Sequence, residues 1–457
     1  MTPLRGRPPG QHHGAAVVRP DNALIADVRR VALTPGRRLR TRVAGIFLFL
    51  PLLARVRFDQ LVAQADSPGS RMVPATRALL SLLALKLLAK ERRSHISDLN
   101  FDEALGLFAG LNILPKTTCA TDYSYRTQRG HQHRLLAGWL THLAPLLLPE
   151  ASTFCRDFHS LPSRGDPTGL DAHDIAQRGQ AGTSVLTFFA HEPDSRVLCY
   201  AHANLTRADQ PGELMRFVEF WHAMTGHDPQ GLSFDSKLVP YAELSRVNQR
   251  SIWFVTIRRR GAALFRRLHA LPPTAWRRTV IDIPQRRHQH VRSVDETTTL
   301  RGYAGTIRQV AVDGLGHPQP TLLVSNNFDA SARDLLTRYT GRNGVEDSLG
   351  IRVHCFHLDC LASEVRLNVD VDVALTVLAH GCYRWLATQL HGFDKAKPKQ
   401  LYRKFVETGG QLAIQTDRIV VRFDKRAHNP LLREAALDQG SPPIPWLHNL
   451  PVAFAYP

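Results

Sequence analysis

Three carboxylates stand where carboxylates are costly. Asp157 sits inside the alternating run Phe154-Cys155-Arg156-Asp157-Phe158-His159, which reads as a strand. Asp235 closes the short apolar run Leu232-Ser233-Phe234. Glu346 shares one helical face with Leu335, Tyr339, Arg342 and Leu349, at spacings of three or four residues. A carboxylate on an apolar stripe is unfavourable unless something compensates it. Arg342, one turn earlier, or a metal ion could do so, and an amphipathic helix with an internal Arg–Glu pair would need no site at all. A sheet can set the two Asp side by side while the following helix lays the Glu beside them. Carboxylates gathered so closely raise one another's pKa values, and two divalent cations relieve the repulsion. Magnesium takes oxygen ligands and keeps water and substrate phosphate in its remaining positions. Two such ions, about 3.5–4 Å apart, activate the attacking oxygen and stabilise the leaving one in phosphoryl transfer.

The elements that would position these groups are those of a mixed α/β sheet. Ser184–Ala190 and Ser195–Asn204 read as paired strands, Glu213–Thr225 as an amphipathic helix and Leu232–Ser236 as a short strand. Ser251–Ile257, Thr279–Ile283 and Ile307–Val312 look like strands of a β-rich insertion, and Arg258–Arg292 holds ten Arg against one acid, Asp282. Leu322-Leu323-Val324 reads as a buried strand ahead of the helix that carries Glu346. Beyond it come an apolar helix, Val369–Leu390, a helix near Pro398–Val406, and strands at Gln411–Gln415 and Arg418–Phe423. Upstream, Pro74–Lys90 and Asp102–Leu111 read as helices. The basic, aromatic stretch from Lys116 to His131 is compatible with a helix-turn-helix DNA reader and equally with a bundle that touches no DNA. The expected division is a basic flexible arm at 1–40, a helical DNA-binding region at 41–150 and a first core part at 151–240. An insertion at 241–320, a second core part at 321–392 and a helix-and-strand tail at 393–457 follow.

Charge narrows the partner. Fifty-eight Lys and Arg face 40 Asp and Glu, for a net +18 over 457 residues. Arg forks bidentately onto phosphate, so a polyanion such as DNA is the expected partner. Six scattered cysteines suggest no disulfide framework and a reducing compartment. The longest apolar window, Ile46–Ala54, is too short to span a bilayer and reads as buried. A cytoplasmic protein without membrane contact is expected.

Tyr339-x2-Arg342-x3-Glu346 resembles the first three members of the Tyr-Arg-Glu-Lys signature of DDE-type insertion-sequence transposases. The resemblance extends over roughly 150 to 425, taking in Asp157 within RDFHSLPSRGD, the run Leu186–Thr206, Asp235 within FDSKL and the β-rich insertion. It implies an RNase H-like core with Asp157, Asp235 and Glu346 as catalytic metal ligands, Mg2+ as cofactor with Mn2+ as substitute, and Tyr339 and Arg342 on DNA phosphate. The family's Lys or Arg usually follows the Glu after six residues; here that position is Val353, with Arg352 one residue earlier as the substitute. Synapsis of two element ends implies a homodimer.

Further DNA contacts are expected from Lys237, Trp253, Arg258, Arg259 and Arg260, with core packing the competing role for Trp253. The cluster His354, Cys355, His357, Asp359 and Cys360 fits no common zinc spacing and is expected to pack. Asp370 and Asp372, at a helix start, are expected to cap it. The function that follows is metal-dependent cleavage at mobile-element ends and strand transfer into target DNA. A hydrolytic nuclease on the same fold and a catalytically silent DNA-binding descendant remain the alternatives.

Overall fold

The apolar window at 46–54 is the first deeply buried stretch. The computed structural model describes residues 31–457 apart from 101, 151, 163–171, 176–179, 207, 236–238, 259–260, 282–287, 317, 342–354 and 359–365. A short strand, β1 (Arg38–Thr41), leads into a 3-10 turn (Ala44–Phe49) and α1 (Leu50–Arg55), and every residue from Ala44 to Ala54 is buried. Helices α2 (Phe58–Gln64), α3 (Ala75–Leu87), α4 (Glu103–Phe108), α5 (Thr117–Arg126) and α6 (Arg129–Leu147) follow. Asp102 caps α4 by accepting the Leu105 amide at 2.9 Å, satisfying a donor that the first turn leaves open.

Strands form where the alternation is. β2 (Thr153–Pro162) pairs antiparallel with β4 (Gln180–His191), whose start also pairs with β3 (Ala172–Ile175). β4 pairs in turn with β5 (Leu198–Leu205). α7 (Glu213–Thr225) returns the chain to β6 (Gly231–Phe234), parallel to β2, and α8 (Tyr241–Gln249) leads to β7 (Trp253–Ile257), parallel to β6. The resulting order is β5-β4-β2-β6-β7. After α9 (Ala262–His269) come β8 (Arg277–Val280), β9 (His290–Thr299), β10 (Thr306–Asp313) and β11 (Thr321–Ser325). They extend the same sheet antiparallel from β7 in the order β11-β10-β9-β8, making ten strands in all among the described residues.

α10 (Ala332–Gly341) and α11 (Arg366–Gln389) follow, then α12 (Pro398–Leu401), which runs into a π-helical turn at Tyr402–Val406. β12 (Gly410–Ile414), β13 (Ile419–Phe423), α13 (Asn429–Ala435) and β14 (Val452–Ala455) complete the chain. A second sheet, β1-β12-β13-β14, joins the stretch expected to end a flexible arm to the C-terminal strands. One buried apolar cluster runs from Val31 to Val452 and includes α3, α6 and α11. α6 lies close on α11 because Gly381 has no side chain: a Cβ there would stand 2.9 Å from Leu143 and 3.0 Å from Trp139. Among the described residues no helix is long and apolar enough to cross a membrane.

Asp370 and Asp372 do not cap α11, because both lie within it and each meets a cation from another helical segment. Asp370 pairs with Arg129 at 3.1 Å, and the buried Asp372 with Lys86 and Arg93, each at 3.4 Å. Ion pairing outcompetes capping here because burial leaves a carboxylate no water to turn to.

Candidate active site

Side-chain alternation along β2 sorts opposite charges to opposite faces of the sheet. Arg156 is buried between the rings of Phe217 (5.5 Å) and Phe234 (4.8 Å) on the face that α7 covers. Its three guanidinium nitrogens make no hydrogen bond among the described residues, and burial holds its pKa well below the ordinary value. Asp157 therefore belongs to the other face, with Cys155. The β2–β6 register pairs Cys155 with Ser233 and Arg156 with Phe234. Continued one residue past the end of β6, that register would bring Asp235 alongside Asp157, at the roughly 4.8 Å spacing of neighbouring strands.

α10 covers this face. Leu335, Leu336 and Tyr339 pack with Val255, Val310 and Leu323 in a smaller apolar cluster. A cleft of about 640 Å3 opens alongside, floored by Cys155 and Ser233 and walled by Trp253, Asp334 and Arg338. Two residues along each strand, about 6.6 Å, separate that floor from the Asp pair. Arg338 stacks over the Trp253 indole at 4.8 Å. The indole also crosses Gly231, where a Cβ would meet ring atoms at 1.9 and 2.0 Å. Only glycine leaves room for the ring, so Gly231→Ala is expected to lower stability by about 1–3 kcal/mol, read as a lower urea midpoint at unchanged slope.

The residues named from sequence fall as follows. Asp157 and Asp235 are half-buried, the first within β2 and the second just past the end of β6. Tyr339 is 5% exposed, its ring in the cluster beneath α10, and Trp253 is partly buried against Gly231 and Arg338. Arg258 is tied into the sheet, its guanidinium donating to Gln309 and its amide to the Leu322 carbonyl at 2.7 Å. Glu346, Arg342, Arg352, Lys237, Arg259 and Arg260 lie outside the described residues. So do His354, Asp359 and Cys360; burial pushes the neighbouring Cys355 thiol up to about 12. Among the described residues no group of three or more His, Cys, Asp or Glu could hold a metal ion.

Arg338, Asp334 and Ser233 at the cleft were not singled out from sequence. The Asp334/Arg338 spacing of four was the available signal. The basic stretch is partly neutralised by acids that follow it, Arg267 by Glu296 and Arg292 by Asp313, while Arg308 on β10 pairs with Asp295. Arg266, Arg277 and Arg278 are exposed.

No protein-family model and no curated protein matches the chain. Among solved structures it is similar to a cryo-EM structure of the piggyBac transposase synaptic complex with hairpin DNA. That likeness has 10% identity and a TM-score of 0.44, and covers 81% of this chain and 82% of that one.

Proposed function

We propose that this chain is a DNA transposase with an RNase H-like core, in which Asp157, Asp235 and Glu346 form the catalytic triad. The observation that carries the reading is the β2–β6 register, whose next step would set two carboxylates side by side next to an open cleft. The order β5-β4-β2-β6-β7, with three antiparallel strands and then two parallel ones, supports the RNase H-like reading. Adjacent carboxylates are the hard oxygen donors that Mg2+ or Mn2+ takes, so the donor set fits; Asp157 and Asp235 would hold the ions, with Glu346 as the third ligand. When bound, the ions supply Lewis-acid activation and neutralise developing charge.

The chain's own residues do the positioning. Asp157 is held within the hydrogen-bonded strand β2, Asp235 directly follows β6, and Arg338 adds positive charge at the adjoining cleft. Water adds to phosphorus at the element's end, and the departing 3′-oxygen leaves as a hydroxyl. That 3′-hydroxyl then attacks a target phosphodiester, whose own 3′-oxygen departs. One phosphodiester replaces another, so neither nucleotide hydrolysis nor a covalent protein–DNA bond is required. The net +18 and the exposed Arg266, Arg277 and Arg278 suit a DNA partner. Two ends to be synapsed call for a homodimer.

The test is a supercoiled donor plasmid carrying the element's ends, incubated with Mg2+ or Mn2+. Excision and joining that chelator removes, and that Glu346→Ala abolishes, are the expected result. Cleavage without joining would instead assign a hydrolytic nuclease. Full activity in Glu346→Ala would remove the third ligand.

A further inference from the structure

A second cleft, of about 560 Å3, lies between α6, α7, the outer strand β5 and α11. Ala190 pairs with both Arg156 and Tyr200 across the sheet, so Tyr200 and the cleft belong to the face opposite Asp157. Its floor is built around a fully buried carboxylate. Glu213 accepts hydrogen bonds from the Tyr200 hydroxyl at 2.9 Å and the Arg216 guanidinium at 3.1 Å, and lies 2.8 Å from His202 Nδ1. With Nδ1 engaged by Glu213, Nε2 is the His202 nitrogen left for a ligand.

The walls combine aromatic and aliphatic side chains with polar ones, among them Glu219 and the Arg129–Asp370 pair. Phe220 stands 4.8 Å from Tyr200 and meets the His133 ring edge-on at 5.3 Å. Burial, with His202 and Arg134 nearby, holds His133 below its ordinary value, so near pH 7 its neutral ring offers one donor and one acceptor. Arg134 and Arg216 line the cleft with about half of each side chain exposed. Arg134 gives two N–H groups to the Ala65 carbonyl, at 3.0 and 3.3 Å, out of the five that a guanidinium carries; it also stands 4.0 Å from the exposed Asp66, and Arg216 3.7 Å from Asp209. Mostly apolar cavities of this size with a few convergent polar groups are the usual form of a small-ligand site. A flat heteroaromatic ring suits the apolar walls and imidazole nitrogens together, and an attached phosphate suits a guanidinium at the cleft's edge.

We propose that this cleft binds a single nucleotide, its base against Phe220 between His133 and His202 and its phosphate on Arg134 and Arg216. Two sources carry that chemistry: a free mononucleotide and an unpaired nucleotide of a DNA strand. The inference stands apart from the Asp157–Asp235 reading, using the other face of the sheet and none of the same residues.

The full chain is titrated with dAMP and dTMP, with inorganic phosphate and thymidine as partial ligands. A labelled duplex with one unpaired nucleotide is compared with its fully paired counterpart. Ala223→Trp fills the cleft from an exposed position on α7, and Arg134→Ala removes a guanidinium; equal unfolding midpoints establish that both variants are folded. A mononucleotide is expected to bind more tightly than phosphate or nucleoside alone, and each substitution to weaken it at least about tenfold. Preference for the unpaired duplex that Ala223→Trp abolishes, with no mononucleotide binding up to about 10 mM, assigns the DNA-borne source instead. Failure of both probes to bind, or binding that neither substitution changes, overturns the proposal.

Discussion

Asp157→Asn and Asp235→Asn are each expected to reduce strand cleavage and joining on the donor plasmid by at least about a thousandfold, or about 4 kcal/mol of barrier. Asn keeps the size of Asp and its place on the strand but removes the charge, so the loss falls on chemistry rather than folding. The two carboxylates act as one unit in the proposed mechanism, so Asp157→Asn with Asp235→Asn should cost little more than either alone. Binding to element ends and the unfolding midpoint are the controls, and both should stay near wild type. Neighbouring strand residues of purely structural importance would give a different pattern, with stability and binding falling together. Wild-type turnover in either single variant would end the assignment of the pair.

The largest loss of stability is expected from Asp372→Ala. Asp372 lies deep between α11 and the N-terminal helical region, paired with Lys86 and Arg93. Lys86 also donates to the Phe356 carbonyl at 3.0 Å. Removing the carboxylate leaves an ammonium and a guanidinium buried without their counter-charge, which costs about 3–5 kcal/mol. That is a large share of the roughly 5–15 kcal/mol that holds a typical domain folded. Burial alone would raise the Asp372 carboxyl, but Arg93 and Lys86 outweigh it and hold it below 3.8. Its folded value is therefore depressed, so its contribution is complete above the unfolded value and fades as pH falls through the folded one. Denaturant titrations should show a gap between wild type and Asp372→Ala that is widest near pH 6 and narrows below about pH 4. A gap independent of pH would mean that the carboxylate is not the source of the loss.

Where side chains alone decide the local structure, the sequence is readable. Phe154–His159 alternates and is part of β2, and the apolar spacing of Glu213–Thr225 marks α7 to the residue. β9 escapes because Val291 and Val294 are its only aliphatic residues; its neighbours β8 and β10, rather than its own pattern, hold it in the sheet. β1 is four residues, RLRT, and owes its strand form to β12, some 370 residues later. The same limit applies to the sites. That Asp157 lies in a strand and Asp235 at a strand's end can be read locally, but the adjacency proposed for them depends on a register between segments 78 residues apart. Glu213 looks like the first residue of an amphipathic helix, and nothing in its own window announces that Tyr200 and His202 will bury it. Asp372 reads as a helix-start acid until α3 arrives from the other end of the chain.

A ladder of hydrogen-bonded strands has a fixed spacing, so the sheet is also a ruler. From β2, which carries Asp157, to the outer strand β8, which exposes Arg277 and Arg278, there are six steps: β6, β7, β11, β10, β9, β8. At about 4.8 Å each they measure roughly 29 Å along the sheet, close to the rise of eight or nine base pairs of duplex at about 3.4 Å. Loops and hinged lobes let such a distance drift. Here the hydrogen-bonded ladder fixes the number of strand steps between the two, and only the twist of the sheet adjusts the distance across them.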